Sequence, residues 1–380
     1  MGPLAGMKVV ELAGIGPGPF CCMMLADMGA EVIRIDRTAA ADLGTPMDPR
    51  FNILNRSRKS LALDLKQPEA VEIVLKLVES ADVLVEGFRP GVTERLGLGP
   101  ADCHARNPKL VYGRMTGWGQ DGPLAPAAGH DINYIAITGA LDSIGVAGGP
   151  PVPPLNLVGD FGGGALYLAF GIACAVIEAG KSGKGQVVDA AIVDGAASLM
   201  TGMFSALARG AWTHSRGENT LAGGAPWYGV YRTSDNLYIS IGSIEIRFWR
   251  ELLETLGFDP ATVPSRDDRA NWPVLKKMFA EAFAKKTRAE WTAIMEGTDI
   301  CFAPVLNLEE AMAHPHMQAR GIFVDIDGIP QPGPAPRFDR SGTVTPTPPP
   351  APGRDSREVL SAAGFSAVEI DALMARKVVI

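Results

Sequence analysis

Short runs of branched apolar residues alternate along the first third of the chain with longer stretches at helical spacing. Lys8-Val9-Val10-Glu11-Leu12 reads as a strand, residues 14–19 as a Gly/Pro turn, the segment through Met28 as a helix, and Glu31-Val32-Ile33-Arg34-Ile35-Asp36 as a second strand. The pattern continues with a strand over 60–65, a helix over 68–79 introduced by Gln67-Pro68, and strands over 82–85 and 109–115. Such alternation predicts an α/β fold, with a parallel sheet covered by helices on both faces.

Phe161–Ala179 and Asp189–Arg209 are apolar enough for long helices, separated by the Lys181–Gln186 turn and a short strand. Beyond them the pattern changes. Tyr228–Ile241 alternates like an antiparallel pair turning at Ser234-Asp235-Asn236, and Phe248–Leu256 and Trp272–Ala284 read as amphipathic helices. The expected organisation is a large α/β domain over 1–195 completed by 330–380, linker helices over 196–225, and a small α+β domain over 226–325. The proline-rich stretch over 326–355 is expected to be an extended connector, and Ser356–Ala375 is helical again.

With 380 residues, 47% of them hydrophobic, the chain can bury a substantial core. A net charge of −7 argues against a nucleic-acid footprint or a basic membrane-facing surface. Five cysteines without CxxC or zinc-ligand spacing favour a reducing compartment, and a cytoplasmic protein is expected, with no secretory signal in residues 1–20. Phe161–Ile177 carries no charge and approaches the length of a membrane span, but the glycines at its start, Asp160 and Glu178 favour a buried core helix.

Candidate chemistry is confined to three separated acid/base residues in glycine-rich settings: His130 in Gly129-His130-Asp131, Asp160 in Gly159-Asp160-Phe161-Gly162-Gly163-Gly164, and Glu245 in Gly242-Ser243-Ile244-Glu245. His130 is suited to proton transfer near neutral pH, or to a hydrogen bond within the fold. Asp160 stands where it would cap an apolar helix, and the glycines behind it would also let a ligand approach the backbone. Taken alone, Glu245 reads by default as a surface carboxylate. The opening turn Gly14-Ile15-Gly16-Pro17-Gly18-Pro19 with Asp36 only partly imitates a dinucleotide fingerprint, because its spacing is G-x-G-x-G and two prolines remove N–H donors. Arg37, Arg56, Arg58, Lys59, Arg89 and Arg95, all at expected loops or strand ends, suit a phosphorylated ligand. His314 and His316 lack neighbours at ligand spacing, and no metal site is expected.

Several motifs together carry a family resemblance: Val9-Val10-Glu11-Leu12-Ala13-Gly14, Ala30–Arg37, Leu63-Asp64-Leu65-Lys66, Gly129–Tyr134, Pro154–Asp160, Gly183-Lys184-Gly185-Gln186 and Gly223-Gly224-Ala225-Pro226. Over nearly its whole length the chain resembles the α-methylacyl-CoA racemases of the family III CoA-transferase superfamily. The resemblance implies an interlaced homodimer, each chain having a Rossmann-like large domain and a small domain. Acyl-CoA would be the substrate, and no cofactor, metal, nucleic acid or membrane would be needed. CoA would lie against Arg37, Leu63, Asp64, Leu65, Lys66, Arg89 and Arg95, and the thioester near Gly129, His130, Asp131, Ile132, Asn133 and Tyr134.

His130, with Glu245 from the partner's small domain, would form one acid/base side and Asp160 the other, passing the α-proton through an enolate held by backbone N–H groups near Asp160. The alternative within the superfamily is a CoA-transferase that uses Asp160 as a nucleophile; the presence of His130 and Glu245 favours the racemase. Ala222, Ile246 and Arg247 depart from the racemase pattern. Met23, Met24, Met115, Met200 and Met203 suit either an adaptable acyl surface or core filling.

Overall fold

The computed structural model describes residues 2–39 and 47–380. Six parallel strands, β1 (Lys8–Leu12), β2 (Glu31–Arg37), β3 (Arg58–Leu63), β4 (Val83–Glu86), β5 (Val111–Thr116) and β6 (Val187–Ala191), form one sheet in the order β3-β2-β1-β4-β5-β6. For β1 to β5, the predicted strands coincide with the observed ones to within two residues at each end. Along the helix Pro68–Val78, proline occupies the first turn, where a missing N–H costs nothing, and Ala70, Ile73, Val74 and Leu77 turn one buried face to the sheet. The C-terminal helices Ser356–Ala362 and Ala367–Ala375 share that layer, while Pro17–Asp27 and Leu166–Ser182 pack on the opposite face.

The chain divides into two compact units. The larger comprises Met1–Thr138, Leu155–Met200 and Arg320–Ile380. Its C-terminus returns to the sheet: Leu63 pairs with Val379, and the Asp64 N–H donates to the Val378 carbonyl at 3.0 Å. The smaller comprises Gly139–Pro154 and Thr201–Ala319. There β7 (Tyr228–Arg232) and β8 (Tyr238–Gly242) form an antiparallel hairpin through the predicted turn, where Asn236 adopts φ 61°, and β9 (Phe302–Pro304) adds beside β8. The helices Ile246–Thr255 and Trp272–Phe283 close an aromatic core around Trp227, Trp249, Phe279 and Phe283.

Three expectations change. The connector opens with structure, because β10 (Phe323–Ile326) and β11 (Ile329–Pro332) form a two-stranded ribbon; both strands are edges, where proline's missing donor is tolerated. The expected Asp189–Arg209 helix begins as β6, and helices run only over Ile192–Leu199 and Thr201–Ala208. Leu157–Ser182 is, among the described residues, one helical stretch long and apolar enough to cross a membrane, and its predicted burial holds for one face, Leu168, Ile172 and Ala175.

Charge is also built into the large unit's core. The Arg58 side chain is wholly buried on β3; its Nε donates to Glu11 Oε2 at 3.0 Å, and its Nη groups donate to the carbonyls of Arg56 at 2.9 Å and Pro19 at 2.5 Å. Strand β3, strand β1 and the start of the first helix are thereby tied by one guanidinium. Replacing Arg58 with alanine leaves Glu11 and two carbonyls without this partner, and should cost about 3–5 kcal/mol in urea-induced unfolding.

Candidate active site

Chain order reverses in the sheet between β1 and β4, and the loops leaving the C-terminal ends of these strands flank a crevice at which open α/β sheets bind ligands. The Gly14–Pro19 turn follows β1, Arg37 ends β2, Leu63–Lys66 follow β3, and Arg89 follows β4, so these candidates share one edge of the sheet. Asp36, the acidic residue a dinucleotide ribose would require, is buried; it accepts from Ser60 Oγ at 2.6 Å and pairs with Arg34 at 2.8 Å. The opening turn serves another purpose. Gly16 adopts φ 68°, and a Cβ there would lie 3.2 Å from Asp160 Oδ2, so the turn lines the space around that carboxylate.

Asp160 is not the helix cap that its position in the sequence suggests. Leu157–Ala165 winds as a π-helix, in which the Phe161 N–H reaches back five residues to the Asn156 carbonyl at 3.2 Å. Asp160 lies inside this first wide turn, where its own N–H has no intrahelical acceptor. That N–H donates instead to Asp131 Oδ1 at 2.6 Å. It is therefore not available to an enolate oxygen, which corrects the expectation for that donor. The glycines after Asp160 likewise face protein, not ligand: a Cβ on Gly163 would meet the Ala196 nitrogen at 2.6 Å, and one on Gly164 would meet Ile192 and Pro17. Phe161 stacks on Phe20 with centroids 4.3 Å apart, anchoring the π-turn to the first helix.

Partial burial and the nearby Asp131 carboxylate raise the pKa of Asp160 to about 6, against opposing contributions from an Asn156 hydrogen bond and His130. Asp131 itself is 8% exposed, and its Oδ2 has no hydrogen-bond partner within the protein. His130 occupies the N-cap of the helix Asp131–Ile137, with its backbone N–H donating to Asn133 Oδ1 at 3.0 Å. The Tyr134 hydroxyl donates to the Gly129 carbonyl, and Trp118 meets the Tyr134 ring edge-on at 4.8 Å. Gly129, Asp131, Asn133 and Tyr134 thus build the support for His130, whose side chain, like that of Ile132, is exposed. Tyr134 also feels the charges of Asp160 and Arg89, and burial raises its phenol pKa.

Of the cations read as phosphate partners, Arg37, Arg89 and Arg95 are exposed. Arg56 and Arg58 are not available: each is 2% exposed, Arg56 paired with Asp27 at 2.5 Å and Arg58 with Glu11. Lys59 pairs with Glu31 and Glu358. Charge in a sequence does not disclose burial, and here Arg58, at the start of β3, and Arg56, two residues before it, both turn inward. In the adjoining segment Leu63 is a core residue, Leu65 is partly buried, Lys66 is exposed, and hydrogen bonds from Gln67 and the Lys66 N–H hold the Asp64 pKa down. Glu245 is exposed in the smaller unit at the N-cap of Ile246–Thr255, and its carboxylate does not cap that helix. His314 bonds Glu296 at 2.9 Å, and among the described residues no three His, Cys, Asp or Glu side chains group to hold a metal ion.

Comparison with known proteins gives the family. The profile described as CoA-transferase family III matches residues 4–356. An alpha-methylacyl-CoA racemase of Mus musculus is 46% identical over 99% of this chain and 97% of its own length, and one of Homo sapiens is 42% identical over the same shares. The crystal structure of a CAIB/BAIF family protein from Brucella suis superposes with TM-score 0.83 at 26% identity, covering 95% of this chain and 99% of the other.

The raised Asp160 pKa has a signed consequence for stability. The unfolded value is about 3.9, so the native protein holds a proton more tightly than the unfolded chain; this contribution is full below about pH 4 and is lost as pH rises through about 6. Asp160→Asn, which cannot ionise, should raise the Tm relative to wild type at pH 8, with the advantage vanishing at pH 4. Scanning calorimetry at the two pH values checks the difference.

Proposed function

The chain belongs to CoA-transferase family III, and from that membership together with the site we propose that it inverts the α-carbon of 2-methylacyl-CoA thioesters. The reaction is a 1,1-proton transfer through an enolate: one group removes the α-proton and another returns a proton to the opposite face. Asp160 is one group. His130 is the other, assisted by Glu245 from the smaller unit of a partner chain. The CoA phosphates and adenosine are held by Arg37, Arg89, Arg95 and the Leu63–Lys66 segment. Similarity to the two racemases over nearly the full chain supports the reading.

The observation that carries it is the setting of Asp160: its side chain is half-buried, its N–H is held by Asp131 Oδ1 at 2.6 Å, and its Oδ2 is bordered by the turn at Gly16. A carboxyl with pKa about 6 exists as both acid and base near neutral pH, which a proton shuttle between two faces requires. The turn at Gly16, where a Cβ would lie 3.2 Å from Oδ2, borders the carboxylate without crowding it.

A second copy of the chain is part of the proposal. Leu166, Phe170 and Ile177, 46%, 71% and 61% exposed, recur along one side of the helix Leu166–Ser182 at four- and seven-residue spacing. Burial against a partner copy removes this apolar stripe from water. Light scattering at micromolar concentration should give twice the chain mass, and a monomer would overturn the homodimer.

The catalytic assignment is tested by incubating one 2-methylacyl-CoA epimer in D2O without an acceptor acid, following α-deuterium and epimer ratio together. Deuterium entry with approach to an equal mixture is expected. His130→Ala and Asp160→Ala should each slow exchange by roughly 10²- to 10⁴-fold while CoA still binds. Absence of exchange, with CoA passing to an added free carboxylate, would instead establish the transferase reaction with Asp160 as nucleophile.

A further inference from the structure

At the end of β8 the chain reverses sharply before Glu245. Ser243 is fully buried; its hydroxyl donates to the Ile300 carbonyl at 2.6 Å, and its N–H donates to the Trp227 carbonyl at 2.9 Å. The Ile244 N–H then closes on the Gly242 carbonyl at 2.7 Å, a three-residue turn. These bonds leave the carbonyls of Ser243 and Ile244 facing one side chain, Arg266. Its Nη1 donates to Ser243 O at 3.2 Å and its Nη2 donates to Ile244 O.

The guanidinium making these bonds is itself seated. It lies 4.1 Å from the ring centroid of Trp227 and 5.3 Å from that of Trp249. The Arg266 carbonyl accepts from the Trp272 indole N–H at 2.8 Å, and Trp227 meets Trp249 and Trp272 edge-on at 5.8 and 5.3 Å. A planar fork can hold two successive carbonyls while lying on an aromatic face; an ammonium group cannot reproduce that geometry. Partial burial disfavours the Arg266 cation, whereas Asp267 and Glu245 favour it, so the Glu245 carboxylate lies within its electrostatic reach.

We propose that Arg266 is a positioning residue for Glu245, fixing the two peptide units before it and placing positive charge near its carboxylate. The inference rests on the reading of Glu245 as part of the proton-transfer machinery. Two effects follow from the one side chain. The backbone clamp sets where the carboxylate is presented, and the guanidinium places a positive charge near it.

The test measures α-deuterium exchange of the full-length protein carrying Arg266→Gln and Arg266→Lys, each in wild-type and Glu245→Gln backgrounds, with Tm recorded for every variant. Arg266→Gln should lower kcat by roughly 10- to 100-fold with little change in KM, as a misplaced acid/base group does. Arg266→Lys should recover part of that loss, since it keeps the charge without the fork. In the Glu245→Gln background, Arg266→Gln should add nothing further. Losses that multiply undiminished would overturn the proposal, because Arg266 would then act independently of Glu245. Wild-type exchange in Glu245→Gln alone would instead sink the underlying reading of Glu245, so the two failures are told apart by the single and the double variant.

Discussion

A carboxylate from one helix bonded to an orphan N–H in the first turn of another is the constraint around which the large unit's site is built. In the bond from the Asp160 N–H to Asp131 Oδ1, at 2.6 Å, Asp131 acts as the cap that the π-turn cannot supply for itself. A hydrogen bond to a charged group contributes about 1.5–3 kcal/mol net, enough to hold Leu157–Ala165 against Asp131–Ile137. Since His130 is the residue immediately before Asp131, the same bond fixes the imidazole's chain segment relative to Asp160. One contact therefore ties the two chain segments together. Partial burial first, and then the neighbouring Asp131 carboxylate, disfavour the ionised form of Asp160 and raise its pKa to about 6.

Support for that contact comes from the opposite side through the sheet. Arg58 joins β3 to Glu11 on β1 and to the Pro19 carbonyl, which fixes the first turn of the helix Pro17–Asp27. Phe20, the next residue, stacks on Phe161, while Gly16 approaches Asp160 Oδ2. The buried ion pair costs desolvation, and hydrogen bonds to two carbonyls offset part of it. Its return lies in geometry: the loop after β1 is held where it borders the carboxylate, at the crevice created by the reversal of strand order.

How much of this was legible in the sequence depends on which physical property was being read. Strand positions were legible because the sheet interior selects branched apolar residues, such as Val9, Val10 and Leu12 or Val32 and Ile35, and the two-domain α/β architecture followed from where that pattern gave way to alternation. His130, Asp160 and Glu245 stood out because ionisable groups flanked by glycines are poor material for a core. The role of Asp131 did not stand out, since a π-turn is defined by which carbonyl an N–H reaches, and Leu157–Ala165 carries no propensity signal for i−5 over i−4. The reading of Gly163 and Gly164 as ligand space failed for a related reason: a missing Cβ makes room, but only the fold decides whether protein or substrate fills it. Arg56 and Arg58 misled because formal charge is visible in a sequence and burial beside Asp27 and Glu11 is not.

Arg266 was missed altogether, because its bonds to the turn before Glu245 depend on how the smaller unit folds. The motif Gly223-Gly224-Ala225-Pro226 marked the family but suggested no chemistry. Gly223 adopts φ 77° and passes its carbonyl to Lys276 Nζ at 2.6 Å; Gly224 lies where a side chain would collide with the Glu218 backbone; and Ala225 is fully buried. Every one of these constraints delivers Trp227 to a fixed place. Trp227 then acts twice, its carbonyl accepting the Ser243 N–H and its ring seating Arg266, which grips the carbonyls of Ser243 and Ile244. The motif therefore bears on Glu245 through two bonded steps, with no contact to the carboxylate itself. Ala222, which lies outside this chain of contacts, can depart from the racemase pattern without disturbing it. Ile246 and Arg247 follow Glu245 in the first turn of its helix, beyond the two carbonyls that Arg266 grips, and a change there alters what lies beside the carboxylate without removing those two bonds.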